Sequence, residues 1–366
     1  MTVFTWLVVL LLLAAVLARG NKKGSKLFII IAFLLLFAVM GLRDVNTGGS
    51  DASGTNGSYP INYLEIGQQD WNELPSKSGR NYNLGFKYIE KGIYEITNGD
   101  YQMFITILSF FVLLSYLRFI RKYSPVPIQS VLYFLGLLYF FFLFDALKQA
   151  VAMAILLFAF DAIIDRKPVK FVLIVAIASL VHFPALIFLP AYWIVRIRLE
   201  KRYLVLLAVL LVVTYVFREQ LLNLMLNAYS ESEIEGSLSG VRFLRTKAIV
   251  MIVIVITAVI LRPPTEKDTV YNACLVFVEI AIVFQTFCGY NNIFERLADY
   301  YFHTSIILIP LVFENCELEK HYLELTTERN IKKASTLIFC TFSIWRFLSI
   351  ASSLEEYSGY KFLWQR

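Results

Sequence analysis

Eleven or twelve apolar runs partition this chain, and short basic loops separate them. No other feature constrains the fold as strongly. A bilayer core accepts only backbone whose hydrogen bonds close inside a helix or a sealed barrel. Apolar runs of about 20 residues, fewer where a helix is short or broken, read as membrane helices. They fall at residues 3–18, 26–42, 100–118, 127–145, 146–164, 169–182, 184–196, 203–218, 246–261, 270–288, 299–313 and 334–352. The sequence therefore predicts an all-α polytopic membrane protein with about 11–12 transmembrane helices, a single integral-membrane domain over residues 1–366.

Composition agrees. Of the 366 residues, 58% are hydrophobic and only 17% charged, and the mean hydropathy is +0.63. A soluble domain of this length carries more charge and shorter apolar runs. The net charge of +6 does not point to nucleic acid, because the basic residues sit in short loops between spans. The bilayer is the expected partner instead. Cys274, Cys288, Cys316 and Cys340 form no CxxC pair and lie in or beside apolar runs, so they read as small core residues. Histidine is confined to His182, His303 and His321, with no HExxH or His-rich tract. No metal and no cofactor is expected.

The basic loops also orient the chain. Arg19, Lys22, Lys23 and Lys26; Arg118, Arg121 and Lys122; Arg166, Lys167 and Lys170; Arg196, Arg198, Lys201 and Arg202; Arg262 and Lys267; and Lys320, Arg329, Lys332 and Lys333 alternate to one side. By the positive-inside rule that side is the cytoplasm. The alternation requires residues 169–196 to form a short helical hairpin broken at His182-Phe183-Pro184. Proline removes a backbone donor and disfavours helix just before it, so a break is expected there. Residues 43–99 and 219–245 then form two outer loops, and both termini lie outside. The first run lacks a basic leader and is followed by positive charge, which favours a retained anchor over a signal peptide.

With that orientation the unusual polar residues gather at the outer mouth: Arg43, Asp51, Glu90, Lys148, Gln149, His182, Arg296 and Asp299. Ionisable groups at membrane depth are costly and mark sites. In the stretch from Gly41 to Asp51, an apolar helix delivers Arg43 and then a glycine loop. Arginine's planar fork suits phosphate, and glycines let backbone amides approach an anion; an ordinary helix exit with a snorkelling arginine is the plainer alternative. Asp51 is a candidate general base. Lys148 and Gln149 follow Asp145 with no real loop, so they hold an anionic or sugar ligand, or Lys148 pairs with Asp145 at a helix start. His182, at a break between short apolar segments, is a candidate acid/base or a structural residue. Arg296 and Asp299 are three apart, sharing a helical face with Tyr300 nearby, either as a site or as a local ion pair. Tyr59, Tyr63, Tyr82 and Tyr94 are candidates for stacking on sugar rings.

Taken in order, these pieces resemble the EpsG family of bacterial exopolysaccharide proteins, which is related in role to the Wzy polymerases. The resemblance rests on Leu42-Arg43 with Gly49-Ser50-Asp51, on Glu90 with Gly92 and Ile93-Tyr94, on Lys148-Gln149 with Ala152, on Ala178-Ser179 with His182, and on Arg296 with Tyr300-Tyr301. It covers residues 35–313. Lys148 stands where arginine is usual, and the spacing from Arg43 to Asp51 carries a likeness to an insertion. The resemblance implies a GT-C-like fold and a polysaccharide polymerase of the bacterial inner membrane. Such an enzyme joins undecaprenyl-pyrophosphate-linked oligosaccharide units at the outer face, and a chain-length regulator is a candidate partner. It further implies that Arg43, Arg296 and Lys148 stabilise the pyrophosphate leaving group. Asp51, or else His182, takes the acceptor proton, and Glu90, Gln149, Asp299 and Tyr300 line the substrate site. The alternatives are a transporter or flippase of lipid-linked oligosaccharide and an O-antigen-ligase-like transferase. A transporter predicts breaks on both sides of the membrane, and a ligase predicts a large outer loop late in the chain.

Overall fold

The computed structural model describes residues 2–18, 22–47, 49, 52, 58–75, 83–196, 212, 216–217, 220, 246–261, 268–285, 287–288, 293–314, 325–353 and 359–365. Among them every regular element is helical, and the only β pairing is an isolated antiparallel bridge between Arg43 and Phe362. The protein is an all-α polytopic membrane protein. Its described helices fall into two compact units, residues 1–186 with 333–366, and residues 187–332.

The first unit holds α1 (Val3–Leu17), α2 (Lys22–Gly41), α3 (Ser58–Gly67), α4 (Leu84–Thr97), α5 (Tyr101–Tyr123), α6 (Pro127–Gly136), α7 (Phe142–Asp145), α8 (Leu147–Ile164) and α9 (Pro168–Val181). The second holds α10 (Ala191–Ile194), α11 (Thr246–Leu261), α12 (Thr269–Gln285), α13 (Ile293–Phe302) and α14 (Ser305–Glu314). Helix α15 (Leu325–Ser353) passes into the first unit at Lys333.

Among the described residues three helices are long and apolar enough to cross a bilayer alone: α5, α8 and residues Asn330–Ser353 of α15. A fourth span is the pair Pro127–Gly136 and Tyr139–Asp145, bent by 64°. Seven more apolar helices are shorter, among them α1, α9 and α14. At 1.5 Å per residue, a helix of about 15 residues reaches about 22 Å, less than the roughly 30 Å of a hydrocarbon core. The run at 203–218 lies almost wholly outside the described residues, as does the second outer loop.

Local chemistry sets most helix ends. Asn98 and Gly99 take left-handed conformations (φ 53° and 81°) and stop α4. Asp100 then caps α5, its Oδ1 accepting from the amides of Gln102 (2.8 Å) and Met103 (3.2 Å). Pro127 and Pro168 open α6 and α9, where the missing N–H has no intrahelical partner to lose. The expected break at His182 is present: α9 ends there in extended backbone, and a 3₁₀ turn follows over Phe183–Phe188. A second break, not anticipated, lies at Leu138, whose φ is 69°. It divides the run at 127–145, and nothing in an unbroken apolar stretch signals it. A second difference lies at 299–313, expected to be one span. The chain instead forms α13 from Ile293 and breaks at His303-Thr304 before α14.

Within the first unit α5 packs on α2 and α8, α8 on α9, and α4 on α3, α5 and α9. Helices α5 and α8 run parallel. Arg118, Lys122 and Tyr123 at the end of α5 all meet Asp161 near the end of α8. At the other end, Gln102 of α5 and the segment entering α8 both contact the Arg43 region. The basic end of α5 and the end of α8 thus share one end of this unit, and the Arg43 loop occupies the other.

Candidate functional site

The polar end of the first unit is built from several segments far apart in sequence. Arg43 follows α2 and is fully buried. Its Nη1 donates to the Met40 carbonyl (2.8 Å) and its Nη2 to the Leu143 carbonyl (2.7 Å), while the guanidinium lies 4.1 Å from the centroid of the Phe144 ring. Arg43 therefore does not snorkel. It clamps the end of α2 to the bent α6–α7 span. Its own carbonyl accepts from Gln102 Nε2 (2.8 Å), which ties the same point to the start of α5.

The loop after Arg43 is equally fixed. Asp44 Oδ1 accepts from the Asn46 amide (2.8 Å), and the Thr47 amide donates to the Asp44 carbonyl (2.8 Å). Gly49 lies against the Asp145 carboxylate so closely that a β-carbon there would fall 1.1 Å from Asp145 Oδ1. That contact explains one glycine of the loop: a side chain would collide with the carboxylate. Asp51 lies outside the described residues, as do Gly48, Ser50 and Tyr82.

Helix α4 brings in Glu90, and α8 brings in Lys148. Only Ala146 separates α7 from α8, so Lys148 sits in the first turn of α8, as the lack of a loop had implied. Its side chain is half-buried, with Nζ 5.6 Å from the centroids of both Tyr59 and Phe86. Its backbone N–H donates to Tyr59 Oη at 3.4 Å. The residue that caps α8 is Ala146, whose side chain makes no capping bond. Gln149 is buried beside it in the sequence.

Glu90 is 1% exposed, and its Oε1 meets no hydrogen-bond donor among the described residues. Burial pushes its carboxyl up to about 8, against the opposing pull of Lys148 and then Lys87. Tyr101 is within electrostatic range of Arg43, Tyr59 and Glu90, and its hydroxyl donates to the Ala52 carbonyl (3.1 Å). Arg43, Tyr59, Glu90, Tyr101 and Lys148 thus form one constellation. His182 adjoins it through α4. The Phe183 amide after it donates to Asn83 Oδ1 (3.0 Å) at the head of α4, and Gly85 packs on Leu180.

Two parts of this end were not foreseen. One is the tail. The Asp44 amide donates to the Lys361 carbonyl (2.9 Å), the Lys361 amide to Thr47 Oγ1 (3.2 Å), and the Leu363 amide to the Leu42 carbonyl (3.0 Å). Tyr360 Oη donates to the Val39 carbonyl (2.6 Å). A short segment near the C-terminus therefore straps the Arg43 loop. The other is the aromatic floor of Tyr63, which hydrogen-bonds Thr97 (3.0 Å) and packs on Tyr94, Tyr101 and Phe104. Tyr63 and Tyr94 are thereby engaged within the protein, leaving Tyr59 as the tyrosine beside Lys148.

The second unit carries the other three residues. Asp299 and Tyr300 are buried on α13, whereas Arg296 is exposed. Asp299 faces inward, with its Oδ1 2.6 Å from Lys247 Nζ of α11. Asp299 also lies mid-helix, so it does not cap α13. Glu295 Oε1 is 3.5 Å from the same ammonium. Tyr301 donates to the Ile187 carbonyl (2.5 Å) and packs on Phe188, Phe277 and Phe284. Lys247 and Glu279, the latter 1% exposed in α12, were both passed over. A lone carboxylate inside an apolar run was the available signal for Glu279.

The family model for the EpsG family matches residues 26–362, nearly the whole chain. No curated protein and no solved structure matches it.

Proposed function

The chain belongs to the EpsG family, a family of Wzy-like polysaccharide polymerases, and from that premise we propose how it acts. It joins undecaprenyl-pyrophosphate-linked oligosaccharide units at the outer face of the bacterial inner membrane, as a GT-C-like glycosyltransferase with both termini outside. The donor is a growing glycan on its lipid pyrophosphate, and the acceptor is another lipid-linked unit. The observation that carries this reading is the constellation of buried Glu90 with half-buried Lys148, Tyr59 and Tyr101 beside the clamped Arg43 loop. A pyrophosphate leaving group needs positive charge as its bond breaks, and cations in a water-poor site stabilise it most. Lys148 is placed for that role as a half-buried cation among aromatic rings. Arg43, whose fork holds two carbonyls, adds positive charge at the same end. Arg296 is exposed on α13 and is assigned to a phosphate of the second lipid-linked unit. Gln149 is a proposed substrate contact in the first unit, Asp299 and Tyr300 are proposed substrate contacts in the second, and a chain-length regulator is the proposed protein partner.

The glycolipid profile of cells lacking this protein, in an otherwise intact pathway, tests the proposal. Single lipid-linked repeat units should accumulate on the outer leaflet, with no polymer. Units trapped on the cytoplasmic leaflet would make the protein a flippase. Intact polymer left on its lipid would make it a ligase.

A further inference from the structure

We propose that Glu90, on the outer helix α4, is the group that takes the proton from the acceptor hydroxyl during glycan transfer. The proposal rests on the polymerase assignment and assigns a role that the sequence had given to Asp51 or His182.

Four observations support it. First, Glu90 is 1% exposed, yet Oε1 has no hydrogen-bond donor among the described residues. Buried carboxylates are normally satisfied, and one left with a bare oxygen is expensive unless a bound partner completes it. A sugar hydroxyl is a donor of the right kind. Second, its charged neighbours are cations, Lys148 from α8 and Lys87 from its own helix. These groups attract the anionic pyrophosphate and so bring donor and base together. Third, the polar groups beside it from α3 and α5, Tyr59 and Tyr101, are hydroxyls and not carboxylates. Fourth, burial raises the carboxyl to about 8, and a general base is most effective when its pKa lies near the operating pH.

The step balances. The acceptor oxygen bonds to the donor's anomeric carbon as that carbon's bond to the pyrophosphate oxygen breaks. The bonding pair leaves with the lipid pyrophosphate, next to Lys148. The hydroxyl proton moves to a Glu90 carboxylate oxygen and is later released to water.

The test uses purified full-length protein in vesicles with a lipid-pyrophosphate-linked repeat unit as the probe. Wild-type protein should release lipid pyrophosphate as it extends the glycan, faster as pH rises toward 8. Glu90→Gln should lower turnover about 100-fold, retain the donor in a pull-down with the same vesicles, and lose the rise with pH. Glu90→Asp should recover part of the rate and keep the pH rise, which a purely structural role would not produce. Turnover of Glu90→Gln within about twofold of wild type, or an Asp variant no better than Gln, would overturn the proposal while leaving the polymerase assignment intact. A wild-type protein that releases no lipid pyrophosphate would overturn both.

Discussion

Two buried carboxylates in the first unit lie near opposite ends of the α5–α8 pair, and their surroundings differ in kind. Asp161 is saturated. Its Oδ2 accepts from Arg118, and its Oδ1 accepts from Lys122 (2.9 Å) and from the Tyr123 hydroxyl (2.6 Å). Glu90 has two lysines near it but an Oε1 that no described donor reaches. A charge whose lone pairs are filled holds two helices together, and anything placed on it would have to break bonds already made. A buried carboxylate kept partly unsatisfied instead reduces stability and keeps capacity for a ligand. Burial and apolar context are alike at the two ends, so the hydrogen-bond inventory separates structure from site.

That contrast can be broken by mutation. The largest expected effect is a double dissociation. Glu90→Gln should lose about 100-fold in turnover with no loss of thermal stability. Asp161→Asn should cost about 2 kcal/mol, discounted because Arg118 and Lys122 are each more than a third exposed, while the folded fraction keeps its turnover. Turnover and thermal melting of both variants, measured in one detergent, check this. If the two variants fail in the same way, the distinction between the two ends is wrong.

The second effect is in pH. The folded pKa of Glu90, about 8, lies above its ordinary value of 4.5. Its contribution to stability is therefore complete below about pH 4.5 and is lost as pH rises through about 8, because the folded state must then hold a buried charge. The loss is on the order of several kcal/mol. Melting temperature should fall across that window in wild type and fall less in Glu90→Gln. Identical slopes would show that Glu90 does not titrate out of step.

A smaller effect sharpens the account of the Arg43 loop. Gly49→Ala places a methyl on Asp145 and should cost about 1–3 kcal/mol as the loop shifts, with a clear fall in activity. Gly92 offers the control. A β-carbon there would meet only Trp71 at 3.9 Å, and the residue lies inside α4. Gly92→Ala should be neutral or stabilising by up to about 1 kcal/mol, as thermal melting would show. A large loss there would mean that this glycine serves an approach to ligand.

Much of the helical frame was legible in the sequence, because apolar run length and punctuation are local properties. The edges of α1, α2, α8, α9 and α11 fall close to the expected boundaries, and the proline after His182 announced its break. Arg43, Lys148 and Gln149 stood out because polar groups in or at the end of apolar runs are conspicuous, whereas Glu90 entered through the family resemblance. What stayed hidden depends on contacts between distant segments. The bend at Leu138, the strap of Lys361 across Asp44 and Thr47, the pairing of Asp299 with Lys247 and the saturation of Asp161 leave no local trace. Arg43 shows the limit most clearly. Its chemistry suited phosphate, but only the fold reveals that its fork holds the carbonyls of Met40 and Leu143.

The most direct measurement is the stoichiometry of the reaction catalysed by the purified wild-type protein. Vesicles loaded with one lipid-pyrophosphate-linked repeat unit should yield one free lipid pyrophosphate for each glycosidic bond formed. Glycolipid that crosses the bilayer with its pyrophosphate link intact, and without any lengthening of the glycan, would contradict the account.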